Sequence, residues 1–102
     1  MATEPTILDE AKALVYGDRG AAYGHPLDDW TRVAGMFNAL FDDKLKEPFT
    51  AEEMLEVPKL MKTSRRRVGW KRDHLVDDAG YALCIDRCHR ERQRRAQPQE
   101  AK

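Results

Sequence analysis

Strand patterning is missing from this sequence. Val, Ile and Thr are sparse and nowhere alternate over a strand-length run, so no β-sheet is expected. No apolar run approaches the ~18–20 residues that cross a bilayer, and the mean hydropathy is −0.75, which excludes an integral membrane protein. Met1 to Pro5 offer neither a basic nor an apolar leader segment, which argues against secretion. Cysteine is limited to Cys84 and Cys88, with no CxxC pair. With His89 these two fall short of a zinc set, and they read as reduced thiols packed in a core. There is no excess of either charge, 18 basic side chains facing 18 acidic ones. That excludes a uniformly basic nucleic-acid binder. Walker loops, Rossmann fingerprints and Ser/His/Asp arrangements are also missing.

What remains is 102 residues with 41% hydrophobic content, enough for one domain with a core. A domain this small leaves roughly a third of its unfolded surface exposed, so a homo-oligomer is expected. The neutral total hides a strong segregation. Residues 1–58 carry 12 acidic and 5 basic side chains, residues 59–72 carry 7 basic and no acidic ones, and residues 73–102 carry 6 of each. The cationic block (Lys59, Lys62, Arg65, Arg66, Arg67, Lys71 and Arg72) reads either as a solvated helix face or as a local phosphate-binding surface.

Helical spacing predicts a bundle of four main helices. Thr6 caps a first helix over Ile7–Tyr16, with Asp9 and Glu10 in its first turn, and Gly17 stops it. Gly20, Gly24 and Pro26 punctuate a loop, and Pro26 suits the first turn of a second helix. There Trp30, Val33, Ala34, Phe37, Leu40 and Phe41 form the clearest amphipathic stripe and should be core. Lys44–Phe49 is a polar connector. Thr50 and Glu53 form a capping box for a third helix over Ala51–Arg67, with a kink or break expected at Pro58. Asp73 caps a fourth helix to about Gln93, buried through Leu75, Val76, Ala79, Ala82, Leu83 and Cys88. Arg90 to Lys102 has almost no apolar residues and should fray. The expected organisation is one helical domain over 1–95 with a disordered tail at 96–102.

Three constellations can carry chemistry. The loop from Asp18 to Pro26 holds Arg19, Tyr23 and His25 among glycines, and functional side chains often sit on such loops. Tyr23 and His25 can stack on or hydrogen-bond a base; alternatively, Tyr23 packs on the core and His25 caps the second helix. Glu53 and Glu56 share a face of the third helix, and Asp73 and Asp77 a face of the fourth. Two helices that each offer two carboxylates can enclose Mg²⁺, which can clamp phosphates and activate water. Alternatively, these acids serve capping and the helix dipoles. Lys62 and Arg65 lie just before the second carboxylate pair, where they can bind phosphate or form ordinary interhelical ion pairs.

Residues 18–81 resemble a phage-encoded family of small helical domains of unknown function. The resemblance rests on Arg19, on Tyr23-Gly24-His25-Pro26 and on the aromatic helix Trp30 to Phe41. It continues in Thr50-Ala51-Glu52-Glu53, Lys62-Thr63-Ser64-Arg65 and Asp73 to Ala82. More distantly the chain is similar to the MazG-like all-α nucleoside triphosphate pyrophosphohydrolases, which place Glu-x-x-Glu on one helix and Glu-x-x-Asp on the next to hold Mg²⁺. Glu53-x-x-Glu56 matches the first half. The second half departs from it, since Asp73-x-x-x-Asp77 is one residue longer. The resemblance implies a MazG-like bundle in the cytoplasm of a bacterial host. It also implies a nucleotide ligand and cleavage between the α and β phosphates. In that reading Asp73 and Asp77, with Glu53 or Glu56, hold Mg²⁺ and activate water. Lys62 and Arg65 bind phosphates, and Arg19, Tyr23 and His25 complete the substrate site. Two other readings stand beside it, a non-catalytic nucleotide-sequestering protein and a nucleic-acid or protein interaction module using residues 59–72 and Arg87 to Arg95.

Overall fold

The computed structural model describes residues 3–17 and 22–98. Four helices account for it: α1 (Ile7–Tyr16), α2 (Pro26–Leu40), α3 (Ala51–Val68) and α4 (Arg72–Ala96), with a short 3₁₀ turn at Asp42–Lys44. There is no strand among the described residues. The all-α expectation therefore holds, and no helix is long and apolar enough to cross a membrane.

The helix starts follow from their caps. Thr6 and Asp9 exchange hydrogen bonds across the first turn of α1, and Thr50 and Glu53 do the same for α3. Pro26 occupies the first turn of α2, where its missing N–H has no intrahelical partner to lose. The start of α4 differs from expectation. Lys71 holds the capping position without a side-chain hydrogen bond, and Asp73 lies inside the first turn. The acid supports the helix through its dipole and does not cap it.

Of the kink or break expected at Pro58 the break does not occur, because α3 runs through it as one helix. Proline removes one backbone hydrogen bond and crowds the preceding turn. Both flanks of Pro58 are anchored, by the capping box and buried Met54 and Leu55 on one side and by ion pairs from Lys59, Lys62 and Arg66 on the other. Helix α4 outruns its expected end near Gln93. Arg94 and Arg95 both bind Glu91, one turn back, and Arg95 also grips Asp28 of α2 with two hydrogen bonds of 2.7 and 3.1 Å. Side-chain pairs at this spacing support a helix that lacks apolar anchors. Of the expected tail, residues 96–98 are described and 99–102 lie outside the described residues.

Helix α4 is the hub, packing against α1, α2 and α3, while α2 also packs on α3. Val15, Leu27, Ala51, Leu55, Cys84 and Cys88 form the core cluster, bordered by Trp30, Tyr81, Leu83 and Ile85. The buried row of α4 is Val76, Gly80, Cys84 and Cys88, one residue per turn. This row is rotated from the expected one, for Ala82 is exposed and Leu75, Ala79 and Leu83 are only half-buried. On α2 only Ala34 of the expected stripe is fully buried, and Leu40 is 73% exposed. The far end of α2 instead forms a satellite aromatic cluster. Phe37 lies 4.9 Å from Phe41 and 5.2 Å from Phe49 between ring centres. Asn38 locks the connector beneath it, donating to the Phe49 carbonyl at 3.0 Å and accepting from the Phe49 N–H at 2.8 Å.

Candidate functional site

A cleft opens between the end of α1, the 22–25 segment, the start of α2 and the middle of α4. Its volume is about 310 Å³, and Tyr23, Asp29, Trp30, Tyr81 and Arg87 are among the side chains that line it. Its volume falls at the lower bound of small-molecule sites, ~300–1,000 Å³. Trp30 and Tyr81 meet edge-to-face with ring centres 6.3 Å apart. The Arg87 guanidinium sits 4.4 Å from the centre of the Tyr16 ring, a cation–π contact that leaves its donors free of any carboxylate partner among the described residues. Tyr23 is 62% exposed, so it does not pack on the core.

Local backbone chemistry places the Tyr23 ring. Gly24 adopts φ 75°, a left-handed conformation that costs other residues about 1–2 kcal/mol. The His25 Nδ1 accepts the Leu27 N–H at 3.0 Å and caps α2. This is the capping alternative for His25, and it commits one ring nitrogen to structure. Burial, reinforced by the Arg87 charge, lowers the His25 pKa from its ordinary 6.5. A lowered folded-state value means that the folded protein binds the proton less well than the unfolded chain. His25 therefore supports folding fully above about pH 6.5, and the support drains away as pH falls toward the folded-state value. Thermal unfolding from pH 8 to pH 5 should show this loss in the wild type. In His25→Asn, which keeps a capping side chain without a titratable group, the loss should be visibly smaller.

The other sequence-derived residues are dispersed. Lys62 and Asp77 come together, Nζ to Oδ2 at 2.9 Å, each with 16% of its side chain exposed. Asp77 lies one turn of α4 before Tyr81, so this pair sits next to the cleft. Glu53 is held in the capping box. Glu56, Arg65 and Asp73 are exposed and make no ion pair among the described residues. Arg19 lies outside the described residues. Among the described residues no three His, Cys, Asp or Glu side chains approach closely enough to hold a metal ion. The expected Mg²⁺ set of Glu53, Glu56, Asp73 and Asp77 is thus not assembled within one chain. Two physical reasons are on hand. The capping box turns Glu53 back onto its own helix, and Lys62 neutralises Asp77.

The cationic block is largely matched by acids of the chain itself. Asp78 takes Lys59 at 2.6 Å and Arg66 at 3.4 Å, Asp77 takes Lys62, and Glu10 takes Arg72. The Arg-rich end of α4 is similarly engaged, with Arg92 on Glu52 and Arg90 on Asp86. This distribution favours neither a broad phosphate surface nor a nucleic-acid track. Cys84 and Cys88 are buried and are not joined in a disulfide. Burial pushes the Cys88 thiol up to about 12, which makes it a packing group and not a nucleophile.

Nothing in the sequence marks Trp30 and Tyr81 as cleft residues, and Arg87 stands out there only as the start of the Arg-rich stretch to Arg95. Trp30 falls in the expected core stripe and borders the core. Tyr81 and Arg87 lie six residues apart, which is not a same-face spacing on a helix, so only the fold shows that both line the cleft.

No solved structure matches this chain. It is similar to the Gene 55 protein of Mycobacterium phage D29, with 34% identity over 87 residues. That alignment covers 84% of this chain and 55% of the phage protein, so the chain spans about half the length of that relative. Residues 6–89 match a family described as a domain of unknown function, DUF6378, and the chain belongs to that family.

Proposed function

We propose that this chain binds a nucleotide, with the base in the aromatic cleft and the phosphates directed toward Arg87. The carrying observation is the cleft itself, where three aromatic side chains and an arginine without a carboxylate partner converge on a volume of about 310 Å³. Aromatic stacking of a base contributes ~1–3 kcal/mol, and a guanidinium suits the geometry of phosphate oxygens. Tyr23 is the residue common to the sequence reading and the cleft. Lys62 and Asp77, one turn away, border the ligand and do not grip it, because each neutralises the other.

Sequestration is favoured over pyrophosphohydrolysis. Hydrolysis between the α and β phosphates needs carboxylates gathered around Mg²⁺, and among the described residues no three of Glu53, Glu56, Asp73 and Asp77 come together. The test is a thermal-shift panel of NTPs and dNTPs with and without Mg²⁺, paired with a pyrophosphate assay. The expected result is stabilisation by at least one nucleotide, without Mg²⁺ dependence and without pyrophosphate above an Asp77→Ala control. Pyrophosphate release that the Asp77→Ala variant lacks would establish the enzyme instead. No stabilisation by any nucleotide would remove the binding reading.

A further inference from the structure

Helix α3 carries a second apolar surface, on the side away from the core. Val57, Leu60, Met61, Ser64 and Val68 recur at i, i+3, i+4, i+7 and i+11 and so line one face. They are exposed, Leu60 at 68%, Met61 at 45% and Val68 at 91%. The opposite face of α3 is already used, with Ala51, Met54 and Leu55 in the core and Lys59, Lys62 and Arg66 paired to α4. The outward stripe is therefore not explained by folding of the single chain.

Charge says what covers it. Along one flank of the stripe run Glu56, Leu60, Thr63 and Arg67, at i, i+4, i+7 and i+11. Glu56 and Arg67 are exposed, stand about 16 Å apart by helical rise, and have no ion-pair partner among the described residues. We infer that a second copy of this chain docks here, α3 against α3, antiparallel about a two-fold axis near Leu60 and Met61. A two-fold perpendicular to the helices sets each flank against the same flank of the other copy, reversed in direction. Glu56 then faces Arg67 of the partner subunit, Arg67 faces Glu56 of the partner subunit, and the apolar centre is self-complementary. An unrelated partner would need no such symmetry in the charges. The shape of the molecule agrees. Its radius of gyration is 16.3 Å and its thinnest axis 20 Å, whereas a compact chain of this length has a radius of about 13 Å. A thin slab leaves helix faces uncovered that a second slab can cover. This inference does not depend on the nucleotide reading.

The test is the mass in solution of the full chain, by sedimentation equilibrium from 1 to 100 μM. The wild type should sediment as a dimer. Leu60→Asp should shift it to monomer with helical circular dichroism retained. Glu56→Arg and Arg67→Glu should each weaken the dimer by about tenfold or more, and the double variant should recover most of that loss. The charge variants keep the test decisive if Leu60→Asp fails to fold. A wild type that stays monomeric at 100 μM would overturn the assignment. So would a dimer that ignores Leu60→Asp, or charge variants whose combination restores nothing.

Discussion

Leu55→Ala should lower the unfolding free energy by about 2–5 kcal/mol, the range for removing a buried leucine and leaving a cavity. Leu55 has no exposed surface and belongs to the central cluster with Val15, Leu27, Cys84 and Cys88. It is the point where α3 joins the core that α2 and α4 share with it, so the surrounding helices cannot collapse onto the gap without moving together. For a domain of this size the melting temperature should fall by at least ~8 °C. Leu8→Ala provides the control. Leu8 is 73% exposed, and surface changes of this kind stay within about 0.5 kcal/mol. Denaturant melts of both variants check the prediction, and equal destabilisation would show that the core lies elsewhere.

Asp78→Ala should have the next largest effect, a loss of about 1–3 kcal/mol. Asp78 joins Lys59 and Arg66 across the α3–α4 interface, and each side chain of the trio is about a quarter exposed. Removing the carboxylate leaves two half-buried cations facing one another. The same site should be visible in acid. Burial alone would raise the Asp78 pKa, but the hydrogen bonds and charges of Lys59 and Arg66 outweigh it and hold the carboxyl below its ordinary 3.8. The folded state thus releases this proton more readily than the unfolded state. The stabilisation is present above about pH 3.8 and is lost as pH falls through the lower folded-state value. Asp78→Asn, which cannot titrate, should show a shallower loss of stability below pH 4 than the wild type. Identical acid profiles would mean that the trio contributes nothing.

Helix identity was legible in the sequence because the caps are local. Thr6 with Asp9, Thr50 with Glu53 and Pro26 act within one turn, and α1 begins and ends where the residues alone put it. The departures come from longer-range terms. Helix α3 passes through Pro58 because packing and ion pairs on either side hold it. Helix α4 extends to Ala96 because Asp28 of a distant helix holds Arg95. Neither effect can be read from a window of sequence. Spacing along one helix correctly placed Asp73 and Asp77 on one helix and Glu53 and Glu56 on another. The Thr50–Glu53 capping box is also legible in the sequence, whereas the choice of Asp77 as the partner of Lys62 comes only with the fold. The segregated charge acquires a concrete meaning in the fold, for most of the cationic block lies against acids of α1 and α4. The cleft was only half legible. Tyr23 stood out by its place beside Gly24, whereas Trp30, Tyr81 and Arg87 converge only once α2 crosses α4.

The central claim, that the aromatic cleft receives a nucleobase, is tested most directly by the fluorescence of Trp30. The chain has two tryptophans, and Trp70 is 70% exposed at the α3–α4 junction, so Trp70→Phe leaves Trp30 as the single reporter. Titration with the nucleotides of the thermal-shift panel should quench Trp30 saturably. Tyr23→Ala, at an exposed position where truncation spares the core, should raise the apparent Kd by about tenfold, within the range expected for a lost stacking contact, without changing the melting temperature. Trp30 emission that no nucleotide alters up to millimolar concentration, or quenching indifferent to Tyr23→Ala, would contradict the assignment of the cleft.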